Sequence, residues 1–410
     1  MNQWDRSITF LFLPYNRVRM PTTPPHPQEP KQGRFQRLRA FWIRVTEGFQ
    51  LEQLWGQFKS EAQAGYVLYS KDVDWEAIGK EKSRFKRILR SGWALFQAML
   101  MKLSPARRVL LLVAVILFVF NPQVPLKNGA EVDLGLAWIA TVILFVLLAL
   151  ELGDRVTMKR DLEIAREIQQ WLVPSEPPQI PGMDIAFATR PQNTVAGDYY
   201  DAFLRPVAEA GAGTPALLVV VADVAGKSVP AALLMATFQS GLRALSATPA
   251  TLDEIVLGLE RYARAHSLEG RRFTTAFLAE IDPQTRAMRY INAGHNYPIL
   301  RRASGAVERL EIGGPPFGVP LFTDNEMPYG VGLVQLEPGD LLFIFTDGVA
   351  EAVNDKGEEF GEPRIVPAIL SMPGGTAAAV LNRVMSDVNT FVGYARQHDD
   401  ITALVLRIVP

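Results

Sequence analysis

Residues 216–223, ALLVVVAD, form an unbroken apolar run with three consecutive valines, and the run ends on a carboxylate. Its length and β-branched content predict a strand rather than a helix. A loop with Gly226, Lys227 and Ser228 follows, and a helical pattern begins near Pro230. Strand, Gly-Lys-Ser loop and helix together invite comparison with a phosphate-gripping P-loop. That motif needs a glycine five positions before the Gly-Lys pair, because successive N–H groups must curl around the phosphates. Val221 occupies that position. Asp223, at the strand end, would also repel phosphate unless a cation stood between them. The aspartate therefore becomes the feature to explain.

With 410 residues, 48% of them hydrophobic, the chain can bury a large core and is expected to form two or three units. It contains no cysteine, which excludes disulfides, a thiolate nucleophile and cysteine zinc sites. The four histidines, His26, His266, His295 and His398, are too scattered for a histidine metal motif. Any metal must be held by oxygen.

The net charge of −1 conceals a basic stretch, residues 31–108, with 16 Lys and Arg against 7 Asp and Glu. Nucleic acid is not the expected partner, because two apolar runs follow at once: VLLLVAVILFVF (109–120) and LGLAWIATVILFVLLAL (134–150). Arg107 and Arg108 precede the pair, and Arg155, Lys159 and Arg160 follow it. The positive-inside pattern predicts a two-helix membrane hairpin over 105–152 with both ends cytoplasmic, that is, a multi-pass inner-membrane protein. The runs are shorter than the roughly 20 residues a span requires, so buried core helices remain the alternative.

Before the hairpin, a disordered Pro-rich segment is expected over 1–34 and a basic helical region over 35–104. After it, residues 153–175 predict a linker helix with Ile164, Ala165, Ile168, Trp171 and Leu172 on one face. Met158, Ala165 and Leu172 keep a heptad step, which suits a homodimer; folding back onto the chain's own domain is the alternative.

Residues 176–410 change character. Short strands run in series (MDIAFAT, ALLVVVAD, TTAFLAEID, AMRYINA, LLFIFTD, ITALVLRIV), with helices grouped between them. This favours an α+β layered sandwich over a doubly wound sheet. Asp223 and Asp347 end two of the strands, Asp399 and Asp400 open another, and Asp198 lies in VAGDYYD before a further one. If these strands are neighbours, several carboxylates meet in one volume and stay ionised together only around cations. Mg²⁺ or Mn²⁺ suits such an oxygen cage. Gly197 and Gly348, beside two of the acids, allow close backbone approach.

The ordered set VAGDYYD, ADVAGKSVPAALLM, TTAFLAEID, NAGHNYPIL, GGPPFGV, FTDGVAEAVN and HDDITALVL resembles the bacterial metal-dependent phosphatases of the stage II sporulation protein E type, relatives of protein phosphatase 2C. The resemblance covers about residues 160–410. It implies a four-layer α-β-β-α sandwich and a centre of two divalent cations that dephosphorylates phosphoserine or phosphothreonine. It further implies that Asp223 bridges the two ions, that the Val224 carbonyl joins one of them, and that Asp347 and Asp399 complete the shell of the second ion, with Asp400 the alternative to Asp399. Asp198 would hold metal-bound water, directly or through a second shell. Gly226-Lys227-Ser228 departs from the Gly-His-Gly of many relatives, so a proton-donating histidine is absent there. The expected partner is a phosphorylated regulator of the anti-sigma-factor antagonist kind. A non-catalytic receptor that binds a partner through the same surface is the rival reading.

Overall fold

The computed structural model describes residues 70–409 except 71–72, 74, 80–82, 121–122, 126–130, 134–135, 208–214, 267–271 and 320–328. The expectations for residues 1–34, and for 35–104 as far as residue 69, lie outside the described residues. Two compact units are separated at Leu147 and Leu148, inside a helix.

In the first unit, α1 (Arg84–Lys102) and α2 (Pro105–Val119) are followed by a small ribbon pairing Gln123–Pro125 with Glu131–Asp133. Pro105 opens α2, where a missing N–H costs nothing. At 15 residues α2 measures about 22 Å, short of the roughly 30 Å of a hydrocarbon core. α3 (Leu136–Leu172) is different. Its 37 residues run unbroken from the second apolar segment through the expected linker, and among the described residues it alone is long and apolar enough to cross a membrane. The two-span hairpin thus has one candidate span in place of two.

The second unit contains β1 (Met183–Arg190), β2 (Tyr199–Arg205), β3 (Ala216–Val224), α4 (Val229–Ser246), α5 (Leu252–Ala265), β4 (Thr274–Ile281) and β5 (Ala287–Ala293). Four short strands follow: β6 (Ile299–Arg301), β7 (Val307–Arg309), β8 (Gly313–Gly314) and β9 (Gly332–Gln335). The chain ends with β10 (Leu341–Phe345), α6 (Asp347–Ala350), α7 (Glu362–Leu370), α8 (Ala377–Val392) and β11 (Ile401–Ile408). One sheet has the order β8-β5-β4-β3-β2, with β9 also on β5; the other is β1-β11-β10-β6-β7.

Alternation within the strands explains how these sheets stack. In β3, Leu217, Val219 and Val221 face one core, and Leu218, Val220, Ala222 and Val224 face another. In β10, Leu342 and Ile344 share the first core with them, while Leu341, Phe343 and Phe345 face a third. One core therefore draws on both sheets. A second packs the β3 sheet with Met235, Phe238 and Leu242 of α4 and Leu252, Ile255 and Leu259 of α5. The third packs the β10 sheet with Ile365 and Ile369 of α7 and Val380, Val384 and Val388 of α8. An apolar run buried on both faces cannot alternate with polar residues, which is why ALLVVVAD reads as continuous.

Local signals fix the helix ends. Thr251 and Glu254 form a reciprocal capping box at α5, and the Thr376 hydroxyl accepts from Ala379 N–H at α8. α7 runs through Pro367, a residue that ordinarily breaks a helix; burial of Ile365, Ala368 and Ile369 outweighs the lost hydrogen bond. Phe343→Ala is expected to lower unfolding free energy by about 3–5 kcal/mol, whereas Leu333→Ala, at a residue 76% exposed, leaves it nearly unchanged. Urea unfolding followed by tryptophan fluorescence measures both.

Candidate metal centre

Antiparallel pairing of β3 with β4 aligns Asp223 with Thr275 at one end of the first sheet. In the second sheet β10 stops at Phe345, and Thr346 adopts extended dihedrals before α6 begins. Asp347 therefore does not close the strand, as the sequence suggested; it opens a one-turn helix two residues beyond. Thr346 secures this junction. Its N–H donates to Thr402 O (3.0 Å), its hydroxyl donates to Asp198 Oδ2 (3.0 Å), and it accepts from Thr402 N–H (3.1 Å).

Two glycines set the close approaches. A Cβ on Gly348 would fall 1.9 Å from the Asp400 carbonyl oxygen, so only glycine lets α6 lie against the 399–400 turn. A Cβ on Gly197 would meet the Val224 carbonyl oxygen and the Ala231 side chain, each at 3.2 Å. That contact puts the Val224 carbonyl beside the loop that carries Asp198.

The adjacent acids have different surroundings. Asp400 is buried, and its two oxygens accept from Gln192 N–H and Gly197 N–H, each at 2.6 Å. It anchors the loop leading to Asp198. Asp399 is half-exposed and paired with Lys227 (Nζ to Oδ2, 2.9 Å). Lys227 also donates to the His398 carbonyl. Asp223, Asp347 and Asp399 feel one another: burial first, then the charges of Asp347 and Asp399, push the Asp223 carboxyl up to about 7. Burial, then Asp399, raises Asp347 to about 6. Asp198 is buried and lies well above the ordinary range because of burial and the neighbouring Asp223.

The donors are therefore hard oxygens crowded into an apolar surround, which suits a divalent cation in kind. Among the described residues no group of three or more Asp, Glu or His side chains is already closed around a common point. A cation would have to draw the carboxylates together and displace the Lys227 ammonium from Asp399. Beside them lies a cleft of about 200 Å³, whose lining includes Arg190, Lys227, Glu351, Arg396 and Asp399. Arg272 packs against the Gly226 turn: its Nη1 lies 3.0 Å from where a Cβ on Gly226 would be.

Several supporting residues had no signature in the sequence. Thr346 and Gln192 act through hydrogen bonds to residues far away in sequence. Arg243, 42 residues beyond Asp201, grips that buried carboxylate with Nε and Nη2, both at 2.9 Å. Gln169, in the last turn of α3, donates to Ala196 O (2.7 Å) and accepts from Ala196 N–H (3.0 Å). The end of α3 is thereby tied to the Asp198 loop.

Residues 214–409 match the model of the stage II sporulation protein E (SpoIIE) family. This part of the chain carries a SpoIIE-family domain. The chain is 27% identical over 289 residues to protein IcfG of Synechocystis sp. (strain ATCC 27184 / PCC 6803 / Kazusa), covering 63% of this chain and 43% of that one. It is 25% identical over 256 residues to phosphoserine phosphatase RsbU of Bacillus subtilis (strain 168), covering 62% of this chain and 72% of RsbU. It thus spans less than half of IcfG. The SiaA-PP2C domain of Pseudomonas aeruginosa shares the fold, with a TM-score of 0.51 and 21% identity over 62% of this chain and 98% of that domain.

The raised carboxyls give the SpoIIE-type domain a definite pH response. Each binds its proton more tightly folded than unfolded, so their contribution to stability is full below about pH 4 and is lost as pH rises through about 6 to 7. In chelator, the thermal unfolding midpoint is expected to fall between pH 5 and pH 8. Added Mn²⁺, competing with those protons, should raise it more at pH 8 than at pH 5.

Proposed function

We propose that the chain is a membrane-tethered protein serine/threonine phosphatase whose centre is built from Asp198, Asp223, Val224, Asp347 and Asp399. The observation that carries this reading is the meeting of Asp223, at the end of β3, with Asp347, just beyond the end of β10, at one end of the two-sheet core, close enough for the Asp347 charge to help raise the Asp223 carboxyl. In this reading Asp223, the Val224 carbonyl, Asp347 and Asp399 would hold two divalent cations, Mn²⁺ or Mg²⁺, with Asp223 shared between them. When bound, such cations lower the pKa of water and balance charge on phosphoryl oxygens. Asp198, held by Thr346, orients the attacking water, and Asp400 keeps the 192–198 loop in place without ligating. Lys227, released from Asp399, attracts the substrate phosphate into the cleft. The three cores are read as a four-layer α-β-β-α sandwich.

The substrate we favour is a phosphorylated protein regulator, of the anti-sigma-factor antagonist kind, on the strength of the SpoIIE-type domain and the similarity to RsbU. A non-catalytic receptor is the second reading, favoured by the Lys227–Asp399 pair and the open disposition of the carboxylates. The full chain is expected to hydrolyse a phosphoserine or phosphothreonine peptide with Mn²⁺ or Mg²⁺ and to stop in excess chelator. Asp223→Asn and Asp347→Asn should each cost at least about a hundredfold in rate, the upper end of what outer-sphere losses cost. Turnover that survives chelation would sink the phosphatase centre, and no turnover with either ion would favour the receptor.

The membrane part of the proposal rests on α3. We read its N-terminal half as the tether, with the SpoIIE-type domain on the cytoplasmic side; a second span through residues 109–120 is the multi-pass version. In the linker, Ala165, Gln169 and Leu172 are partly covered, while Ile164, Ile168 and Trp171 form an exposed apolar stripe at helical spacing. A homodimer through that stripe is part of the proposal. The full chain is expected to stay with membranes in high salt and to be extracted by detergent, and cysteines introduced at Ile164 and Ile168 should crosslink more readily than one at Glu163. Release by salt alone would remove the tether.

A further inference from the structure

His295 is a buried titratable group that the reaction outlined above leaves unused. The segment Asn292-Ala293-Gly294-His295 is built to present it. Asn292 Oδ1 accepts from His295 N–H (2.7 Å), and Asn292 Nδ2 donates to His295 O (3.0 Å) and Leu310 O (3.4 Å). Gly294 has φ +67°, and a Cβ there would lie 2.5 Å from the Pro316 ring, so this turn requires glycine. The imidazole that results is only 4% exposed.

Its two nitrogens look toward different sheets. Nδ1 is 3.0 Å from Thr275 Oγ1. Thr275 is the cross-strand neighbour of Asp223, and its hydroxyl lies 3.5 Å from the Asp223 carbonyl oxygen. On the other side the ring faces the carbonyl of Phe345, the last residue of β10 and two before Asp347. Nε2, the nitrogen left to face that carbonyl, is fully buried and falls short of a hydrogen bond of normal geometry. A buried nitrogen left without a partner costs stability, so its retention calls for a reason. Burial holds the ring's pKa down at about 4, so it stays neutral and keeps one donor and one acceptor throughout the neutral range.

We infer that His295 is a positioning residue: as a rigid strut between the Thr275 hydroxyl and the Phe345 carbonyl, it sets the separation of Asp223 in one sheet from Asp347 in the other. The inference rests on the reading of those aspartates as cation ligands. Thr275 and His295 would then act as outer partners of a centre they do not touch, a class of residue whose loss weakens metal affinity about 10- to 100-fold.

The test measures Mn²⁺ affinity of the full chain in mild detergent by calorimetry, together with the unfolding midpoint in chelator. His295→Phe keeps the ring but loses both nitrogens and is expected to weaken Mn²⁺ binding about tenfold or more. His295→Gln, with a donor and an acceptor, should recover most of the affinity, and Thr275→Val should weaken it in the same direction as Phe. A packing role alone would lower the midpoint of both His295 variants and leave Mn²⁺ affinity unmoved, which would overturn the proposal. Equal weakening in Phe and Gln would also overturn it. If His295→Phe does not fold, Thr275→Val decides, and wild-type affinity there overturns the strut. Asp223→Asn serves as the control: if it binds Mn²⁺ as wild type does, the reading of the centre fails and the strut falls with it.

Discussion

Repulsion among carboxylates held at the rim of an apolar core governs the second unit. Asp223, Asp347 and Asp399 are brought near one another by strands whose other residues are buried on both faces, so they cannot separate without unstacking the sheets. Burial raises the carboxyls of Asp223 and Asp347, and neighbouring negative charge, that of Asp399 included, raises both further. The surrounding structure manages this stress. Lys227 offsets Asp399, Thr346 holds Asp198, and backbone N–H groups take up both oxygens of Asp400. A cation would relieve the rest.

That constraint accounts for the distribution of small residues and buried polar groups. Gly348 and Gly197 are placed where a methyl group would push α6 from the 399–400 turn or the Asp198 loop from the Val224 carbonyl. The pair of buried Asp201 with the more exposed Arg243 is of another kind: its two-pronged geometry satisfies the carboxylate, and the guanidinium also lies 3.7 Å from the centre of the Phe203 ring. It ties β2 to α4 and takes no part in the centre. A charge fully paired inside the protein is structural; a charge left to its neighbours is available for chemistry.

The end of α3 is tied to the loop that carries Asp198. Gln169 grips the backbone of Ala196, the next residue donates to Asp400, and Asp198 follows. The loop is thus held by hydrogen bonds at both of these points.

Sequence alone determined much of this protein. Apolar runs ending in acids announced the strands, Pro230 marked a helix start, and the absence of cysteine confined any metal to oxygen donors. These signals are local: periodicity, capping and donor chemistry act within a few residues. Only the tertiary structure separated Asp399 from Asp400, because adjacent residues differ in which distant N–H groups they meet, here those of Gln192 and Gly197. It also decided that Asp347 begins a helix, that Pro367 sits inside one, that Lys227 reaches Asp399, and that His295 lies between Thr275 and Phe345. Each of these depends on segments tens to hundreds of residues apart, and their meeting follows from how two sheets stack, which no local pattern encodes.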